Sequence, residues 1–328
     1  MSMNGKVVLI TGGTGSFGKK FTEIVLNEYK PAKLIIFSRD ELKQVEMEQS
    51  IGHPPLVRYF IGDIRDRERL YRALKQVDIV IHAAALKQVP AAEYNPFEAV
   101  KTNVLGTQNI IDAAIDCGVE RIIGLSTDKA ANPINLYGAT KLCADKLFVA
   151  ANAYAGAQNT RFSTVRYGNV FGSRGSVVPF FLKCRDAGKI PITDERMTRF
   201  WITLEQGVRF VIRCLELMEG GEVFVPKIPS MKITDLAEAI APGCSHETVG
   251  IRPGEKLHEV MISFDNARQA LEYDDYYVLQ PSHRWWNQGD FQTRNGGRPC
   301  SDGFEYRSDN NDRWLSVDDL REMVEQLT

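Results

Sequence analysis

A short apolar run, Val7-Val8-Leu9-Ile10, passes directly into Thr11-Gly12-Gly13-Thr14-Gly15-Ser16-Phe17-Gly18 and then into helix-period sequence. This junction restricts the chain to few folds. Glycines at 12, 15 and 18 remove the side chains that would keep a pyrophosphate away from a helix N-terminus, where unpaired amides and the helix dipole attract anions. A glycine-rich turn also occurs simply to tighten a connection, so the motif acquires meaning from its setting. Here a strand precedes it and a helix follows, which points to a dinucleotide site.

The rest of the first half repeats the same alternation. Strand-length apolar runs are expected near 6–10, 33–37, 57–61, 79–82, 121–125 and 162–166, with helices near 17–28, 41–50, 67–74, 96–117 and 137–153. Such alternation builds an α/β fold, a doubly wound parallel sheet of the Rossmann type with helices on both faces. After Arg166 loop residues multiply and helical patterns resume near 179–187 and 204–218, so a smaller lobe is expected to begin there. A strand near 221–226 returns to the sheet and a helix follows near 233–240, which interleaves the two lobes in sequence. We therefore expect a dinucleotide-binding domain over 1–168 with a returning segment near 200–226, a substrate lobe from 169–199 and 227–280, and an appendage over 281–328 at the surface or an oligomer contact. In that appendage Ser316 and Asp319 have the spacing of a capping box opening a last helix.

Bulk properties exclude several classes. A formal charge of -2 gives no broad field to gather nucleic acid or an anionic membrane. The 6 cysteines are scattered with no C-x-x-C pair and no histidine cluster, so a reduced cytoplasmic chain without a structural metal is expected. The N-terminal apolar run is too short for a signal sequence or a membrane span. The aromatic-basic patch at Arg284-Trp285-Trp286 reads as packing for the C-terminal segment.

The dinucleotide contacts are expected from Thr11, Gly12, Gly15, Ser16, Phe17 and Gly18, from Asp63 and Ile64 after the third strand, and from Ala83, Ala84 and Ala85 after the fourth. Strand ends line the crevice where ligands bind in open sheets. The second strand ends at Ser38-Arg39-Asp40, with Lys43 nearby, and small and basic groups there suit a 2'-phosphate. NADP is accordingly expected, against the alternative of Arg39 as a solvated loop charge. His82 reads as a packed core residue.

Tyr137 and Lys141 stand four apart, which on a helix places both on one face. A nearby ammonium would favour the phenolate, and lowering a tyrosine from about 10 toward 7 requires about 4 kcal/mol. Such a pair arises by chance on many helices, but downstream of the glycine turn it reads as a catalytic base. At this point the sequence resembles the extended short-chain dehydrogenase/reductase superfamily, a likeness that runs to about Ser263. Ser126-Thr127-Asp128-Lys129-Ala130-Ala131-Asn132-Pro133, Leu86-Lys87-Gln88-Val89-Pro90, the run from Arg166 to Pro179, and Arg252-Pro253-Gly254-Glu255-Lys256 sharpen it. Together they are similar to the inverting UDP-N-acetylglucosamine 4,6-dehydratases that begin pseudaminic acid synthesis. Retaining dTDP-glucose-type dehydratases carry Thr-Asp-Glu where this chain has Thr127-Asp128-Lys129, and their tyrosine lies farther downstream.

The resemblance implies that Tyr137 removes the 4-hydroxyl proton while Lys141 holds the cofactor ribose and supports the phenolate. It implies that Lys129, made neutral by desolvation or adjacent positive charge, takes the proton from carbon 5, while Asp128, a raised-pKa acid, protonates the departing 6-hydroxyl. Thr127 would bond the 4-oxygen. Lys87 and Asn169 would contact the sugar nucleotide, with Arg174, Val177, Arg199, Arg252 and Glu255 as further substrate contacts and Asn103 as a further cofactor contact. The family commonly pairs through helices flanking the sheet, so a homo-oligomer, a dimer or hexamer, is expected. The rival readings are a UDP-sugar 4-epimerase and a non-catalytic dinucleotide sensor.

Overall fold

The computed structural model describes residues 3–156, 159–173, 176–281 and 296–326. Strands β1 (Val7–Thr11), β2 (Lys33–Ser38), β3 (Val57–Ile61), β4 (Ile79–His82), β5 (Arg121–Thr127) and β6 (Arg161–Tyr167) are parallel and lie in the order β3-β2-β1-β4-β5-β6. Helices α1 (Ser16–Glu28), α2 (Glu41–Ile51), α3 (Arg67–Ala73), α4 (Val89–Tyr94), α5 (Pro96–Val100), α6 (Gly106–Cys117) and α7 (Leu136–Tyr154) connect them. Alternate residues of each strand feed opposite faces. Val8 and Ile10 join one buried cluster with Phe21 and Ile24, while Leu9 joins another with Ile110, Ile111 and Phe148. The strand order reverses between β1 and β4, which opens a crevice at their C-terminal ends.

The helix expected over 96–117 is not continuous. Residues Lys101–Leu105 form a π-helical turn between α5 and α6. The wider turn carries Asn103, whose amide donates to the Leu86 carbonyl at 2.9 Å and to Thr140 at 3.0 Å and accepts from the Leu86 N–H at 2.8 Å. Gly106 then lets the helix pass Ile64, whose side chain would lie 2.8 Å from an added Cβ.

The second half comprises β7 (Asn169–Val170), α8 (Val177–Cys184), β8 (Lys189–Ile192), β9 (Thr198–Ile202), α9 (Leu204–Leu217), β10 (Val223–Pro226), β11 (Ser230–Lys232), α10 (Ile233–Ile240), β12 (Ser245–Thr248), β13 (Val260–Ile262), β14 (Ala270–Glu272), β15 (Tyr276–Leu279), β16 (Arg298–Pro299), β17 (Tyr306–Arg307) and α11 (Val317–Glu325). β10 extends the main sheet parallel to β6, then β15, β14 and β16 add antiparallel, making a mixed sheet of ten strands. Ala270–Leu279, read from sequence within the smaller lobe, is thus bonded to the main sheet. A separate core holds Phe171, Val178, Phe181, Trp201, Met231, Leu236 and Leu320.

The appendage expected over 281–328 is, in its described part, woven into the body. β16 edges the main sheet, β17 pairs with β13, and α11 sets Leu320, fully buried, into the smaller core. Burying such a leucine contributes roughly 1.5–3 kcal/mol. The capping box forms: Ser316 Oγ accepts from the Asp319 N–H at 3.2 Å, and Asp319 accepts from the Ser316 N–H at 2.8 Å. Arg284, Trp285 and Trp286 lie outside the described residues. Among the described residues no helix is long and apolar enough to cross a membrane.

Candidate active site

One cavity of about 1310 Å³ runs from the glycine turn, past the ends of β4 and β5, to the smaller lobe. At its first end it is lined by Gly12, Gly15, Ser16, Phe17, Ser38, Arg39, Asp40, Lys43, Asp63, Ile64, Ala83, Ala84 and Ala85, all expected there. The turn is tight because it must be. Gly12 has φ +65°, and an added Cβ would stand 3.0 Å from the Ala84 backbone; at Gly15 it would stand 3.1 Å from the Gly12 carbonyl. Gly15, at the N-cap of α1, has no side chain to claim the helix amides. This cradle fits the pyrophosphate of a nicotinamide dinucleotide.

Three residues expected at the dinucleotide sit behind the cavity wall. Thr11 is fully buried, and its hydroxyl accepts from the Ala83 and Ala84 N–H groups at 3.1 and 3.2 Å and pairs with His82 Nδ1 at 2.9 Å. Gly18 is a packing glycine, since an added Cβ would meet the Gly13 carbonyl oxygen at 2.2 Å. Asn103, 1% exposed, is consumed by its bonds to Leu86 and Thr140. His82 is a core residue, kept neutral by burial and the nearby Lys141, which push it down to about 3.

The catalytic end is built on two elements. β5 ends at Thr127 and a 3-10 turn carries Asp128 and Lys129. Helix α7 is capped by Asn135, whose Oδ1 accepts from the Gly138 N–H at 2.7 Å. At Gly138 an added Cβ would stand 2.1 Å from the Lys129 carbonyl oxygen, so this glycine lets the helix rest on the turn. Tyr137 is thereby brought beside Thr127 and Lys129. Burial pushes its phenol up to about 12, against the pull of the Lys129 charge and a hydrogen bond with Thr127. The cation that most favours its ionisation is Lys129, whereas Lys141 had been expected in that role. Lys141 is itself lowered by burial, with Asp145 opposing.

Asp128 is fully buried and its carboxyl is raised, by desolvation first and by Glu259 as well, against the pull of Lys129 and Thr127. It lies one layer behind the cavity lining. Thr127 Oγ1 and Lys129 Nζ both donate to Asp128 Oδ1, at 2.9 and 3.0 Å, and among the described residues Oδ2 has no hydrogen-bond partner. Lys129 corrects an expectation. Burial alone would lower it, but Asp128 and Glu259 outweigh burial and hold the ammonium well above its usual range. It rests charged rather than neutral. Its Nζ also donates to Asn169 Oδ1 at 3.2 Å and lies 3.1 Å from Glu259.

Lys87, Asn169, Val177, Arg199, Arg252 and Glu255 line the far end as expected, and Arg174 lies outside the described residues. Arg199 is less free than a phosphate ligand: its guanidinium donates to the Thr198 and Leu257 carbonyls at 2.7 and 3.0 Å. The segment 252–256 is docked on the catalytic turn. Lys256 Nζ donates to the Ala131 carbonyl at 2.6 Å and Asn135 Nδ2 to the Gly254 carbonyl at 2.7 Å. Sequence reading missed Glu259, which no motif marks, together with Trp201 and Met231, core residues that also line the cavity.

A family model described as polysaccharide biosynthesis protein matches residues 8–281. The inverting UDP-N-acetylglucosamine 4,6-dehydratase of Campylobacter jejuni subsp. jejuni serotype O:2 is 58% identical over 327 residues, 98% of each chain. UDP-glucose 4-epimerase of Rickettsia canadensis is 38% identical, covering 97% of this chain and 95% of that one. The crystal structure of Pen from Bacillus thuringiensis is 37% identical and superposes with a TM-score of 0.90 over 100% of this chain and 99% of that one. DesIV, the dTDP-glucose 4,6-dehydratase of Streptomyces venezuelae, superposes with a TM-score of 0.71 at 22% identity, covering 97% and 95%, and was solved with NAD and TYD bound. The dTDP-glucose 4,6-dehydratase of Bacillus anthracis and the UDP-glucose 4-epimerase of Thermus thermophilus are likewise NAD complexes. The expectation of NADP is corrected by these complexes. A physical reason accompanies them: the cations it rested on are already engaged, Lys43 with Asp40 and Arg39 with Asp63 at 3.7 Å.

Proposed function

From the premise that the chain belongs to the polysaccharide biosynthesis protein family and is, within it, an inverting UDP-N-acetylglucosamine 4,6-dehydratase, we propose how its side chains divide the reaction. A bound nicotinamide dinucleotide supplies a hydride acceptor that later returns the hydride, so no net redox occurs. Ser16, Phe17 and the turn glycines hold its pyrophosphate, and Lys141 its ribose. Tyr137 takes the proton of the sugar 4-hydroxyl, and Thr127 bonds the 4-oxygen. With carbon 4 a ketone, the proton on carbon 5 is acidified. Lys129 takes it, and Asp128 gives a proton to the 6-hydroxyl as it departs as water; with the hydride returned to carbon 6, Lys129 or Tyr137 would deliver a proton to the opposite face of carbon 5 and complete the inverted product. Lys87, Asn169 and Arg252 hold the sugar nucleotide, Arg252 with the planar fork that suits diphosphate.

The observation that carries this reading is that Lys129 and Tyr137 line one cavity while Asp128 stands directly behind Lys129, its Oδ1 3.0 Å from the Lys129 Nζ. An epimerase needs only the tyrosine, and a sensor needs neither. The contact between Lys129 Nζ and Asp128 Oδ1 supports the part of Asp128 as the acid, because a proton passed along it leaves a carboxylic acid beside a free amine. We further read the product as entering pseudaminic acid synthesis in the cytoplasm. Exposed Tyr94, Phe97 and Leu105 along α4 to α6 support a homo-oligomer. The test is incubation with UDP-N-acetylglucosamine in heavy water. Expected is a product lighter by one water, inverted and deuterated at carbon 5. A product of unchanged composition would replace this reading with epimerisation.

A further inference from the structure

Three cations converge on Glu259, which is 2% exposed. Lys129 Nζ lies 3.1 Å and Arg199 Nε 3.9 Å from its Oε1, and Lys256 Nζ lies 4.0 Å from Oε2. Among the described residues Oε2 has no hydrogen-bond partner. The C-terminal segment grips its backbone: the Glu259 N–H donates to Ser308 Oγ at 2.9 Å, the Ser308 N–H returns a bond to the Glu259 carbonyl at 2.9 Å, and Ser308 Oγ reaches the Thr198 carbonyl at 3.2 Å. Pairing of β13 with β17 continues this clamp. A carboxylate taken this far from water loses several kcal/mol of hydration unless charge compensates, and a hydrophobic residue would fill the space more cheaply. Its placement therefore calls for a role in the charge balance of the site.

We propose that Glu259, clamped by Ser308, is a positioning residue that fixes Lys129 against Asp128 and keeps one proton resident on that pair. The inference rests on Lys129 as base and Asp128 as acid. With one proton on the pair, transfer along the 3.0 Å contact turns ammonium and carboxylate into amine and carboxylic acid, the base and acid that elimination needs. The amine then takes the carbon 5 proton. The C–H electron pair forms the bond between carbons 5 and 6, the bond from carbon 6 to oxygen breaks, and the hydroxyl leaves with the proton of Asp128 as water. Lys129 ends as ammonium and Asp128 as carboxylate, so the pair again holds one proton. With no proton the acid is missing; with two the base is blocked.

The charged groups around Glu259 set the direction of its effect. Burial favours its neutral form, but Lys129, Arg199 and Lys256 outweigh burial and keep it ionised. Arg166 stands near Lys256, Glu255 lies 3.9 Å from Arg199, and Tyr137 faces Lys129. The Glu259 charge raises the proton affinity of both Asp128 and Lys129. Its removal lowers both, so both limbs of the pH–rate profile move to lower pH. The acid limb, set by arrival of a second proton at Asp128, is the one to read.

The test compares pH profiles of water loss for the whole enzyme and for Glu259→Gln. Expected are a kcat lower by at least about tenfold, a KM within about threefold of wild type, and an acid limb displaced downward by about one pH unit. A merely structural role would lower activity at every pH and leave the limb in place, which would overturn the proposal. Wild-type water loss is the control: its failure sinks the reading of the site, whereas wild-type turnover with an unmoved limb in the variant sinks only the role of Glu259. If Glu259→Gln no longer binds dinucleotide and so has not folded, Ser308→Ala carries the test by the same criterion. A limb moved downward supports the clamp, and an unmoved limb overturns it.

Discussion

At the scale of single residues the site works by opposing burial with charge. Asp128 and Glu259 are both withdrawn from water, yet the first is pushed up, by burial and the Glu259 charge against Lys129, and the second held down, by Lys129, Arg199 and Lys256 against burial. Environments that drive two carboxyl groups apart separate their roles. Lys129 lies between them, charged at rest. Lys129→Ala is expected to lower water loss by about 10²–10⁴-fold, the usual contribution of a positioned acid or base. Dinucleotide binding, measured by titration calorimetry, should stay within about twofold, and an equal loss of that affinity would remove Lys129 from its assigned part. The residue types at 127–129 and at 137 and 141 were legible as chemistry, but the ionisation of Lys129 was not. Its ammonium is held first by Asp128, the preceding residue, and then by Glu259, 130 positions away, both against a burial that no local pattern announces.

At the scale of elements, contact between helix α7 and the turn after β5 brings Tyr137 beside Thr127 and Lys129. Gly138 permits it, with room for no Cβ against the Lys129 carbonyl. Gly138→Ala is expected to pry the helix from the turn, at about 1–3 kcal/mol of overpacking, and to reduce kcat far more than dinucleotide affinity. Urea denaturation and steady-state kinetics measured together check it; undiminished kcat would mean that the helix moves without disturbing the site. The strands and most helices were readable because apolar periodicity reports local conformation directly. The π-helical turn at Lys101–Leu105 was not readable. Its helical periodicity is intact, and the break is held by the tertiary bonds of Asn103 to Leu86 and Thr140.

At the scale of the whole molecule the C-terminal residues close the structure instead of trailing from it. β17 pairs beside Glu259, Ser308 clamps it, and α11 completes the smaller core through Leu320. Leu320→Ala is expected to destabilise the fold by about 2–5 kcal/mol and to weaken UDP-sugar binding more than dinucleotide binding. Chemical denaturation and separate titrations of the two ligands test this, and a stability change below about 0.5 kcal/mol would return the segment to the status of an appendage.

The sequence by itself determined the parallel strands of the first half, the glycine turn and the placement of Tyr137 and Lys141 on one helix face. Each of these is written in local spacing: apolar period, turn glycines, and a tyrosine and lysine on one helix face. Tertiary structure decided which of those groups face the cavity and which stand behind it, how the sheet ends in antiparallel strands, and what charge Lys129 carries. Those outcomes depend on burial and on a field to which residues remote in the chain contribute beside near neighbours, and local spacing encodes neither the burial nor the remote share.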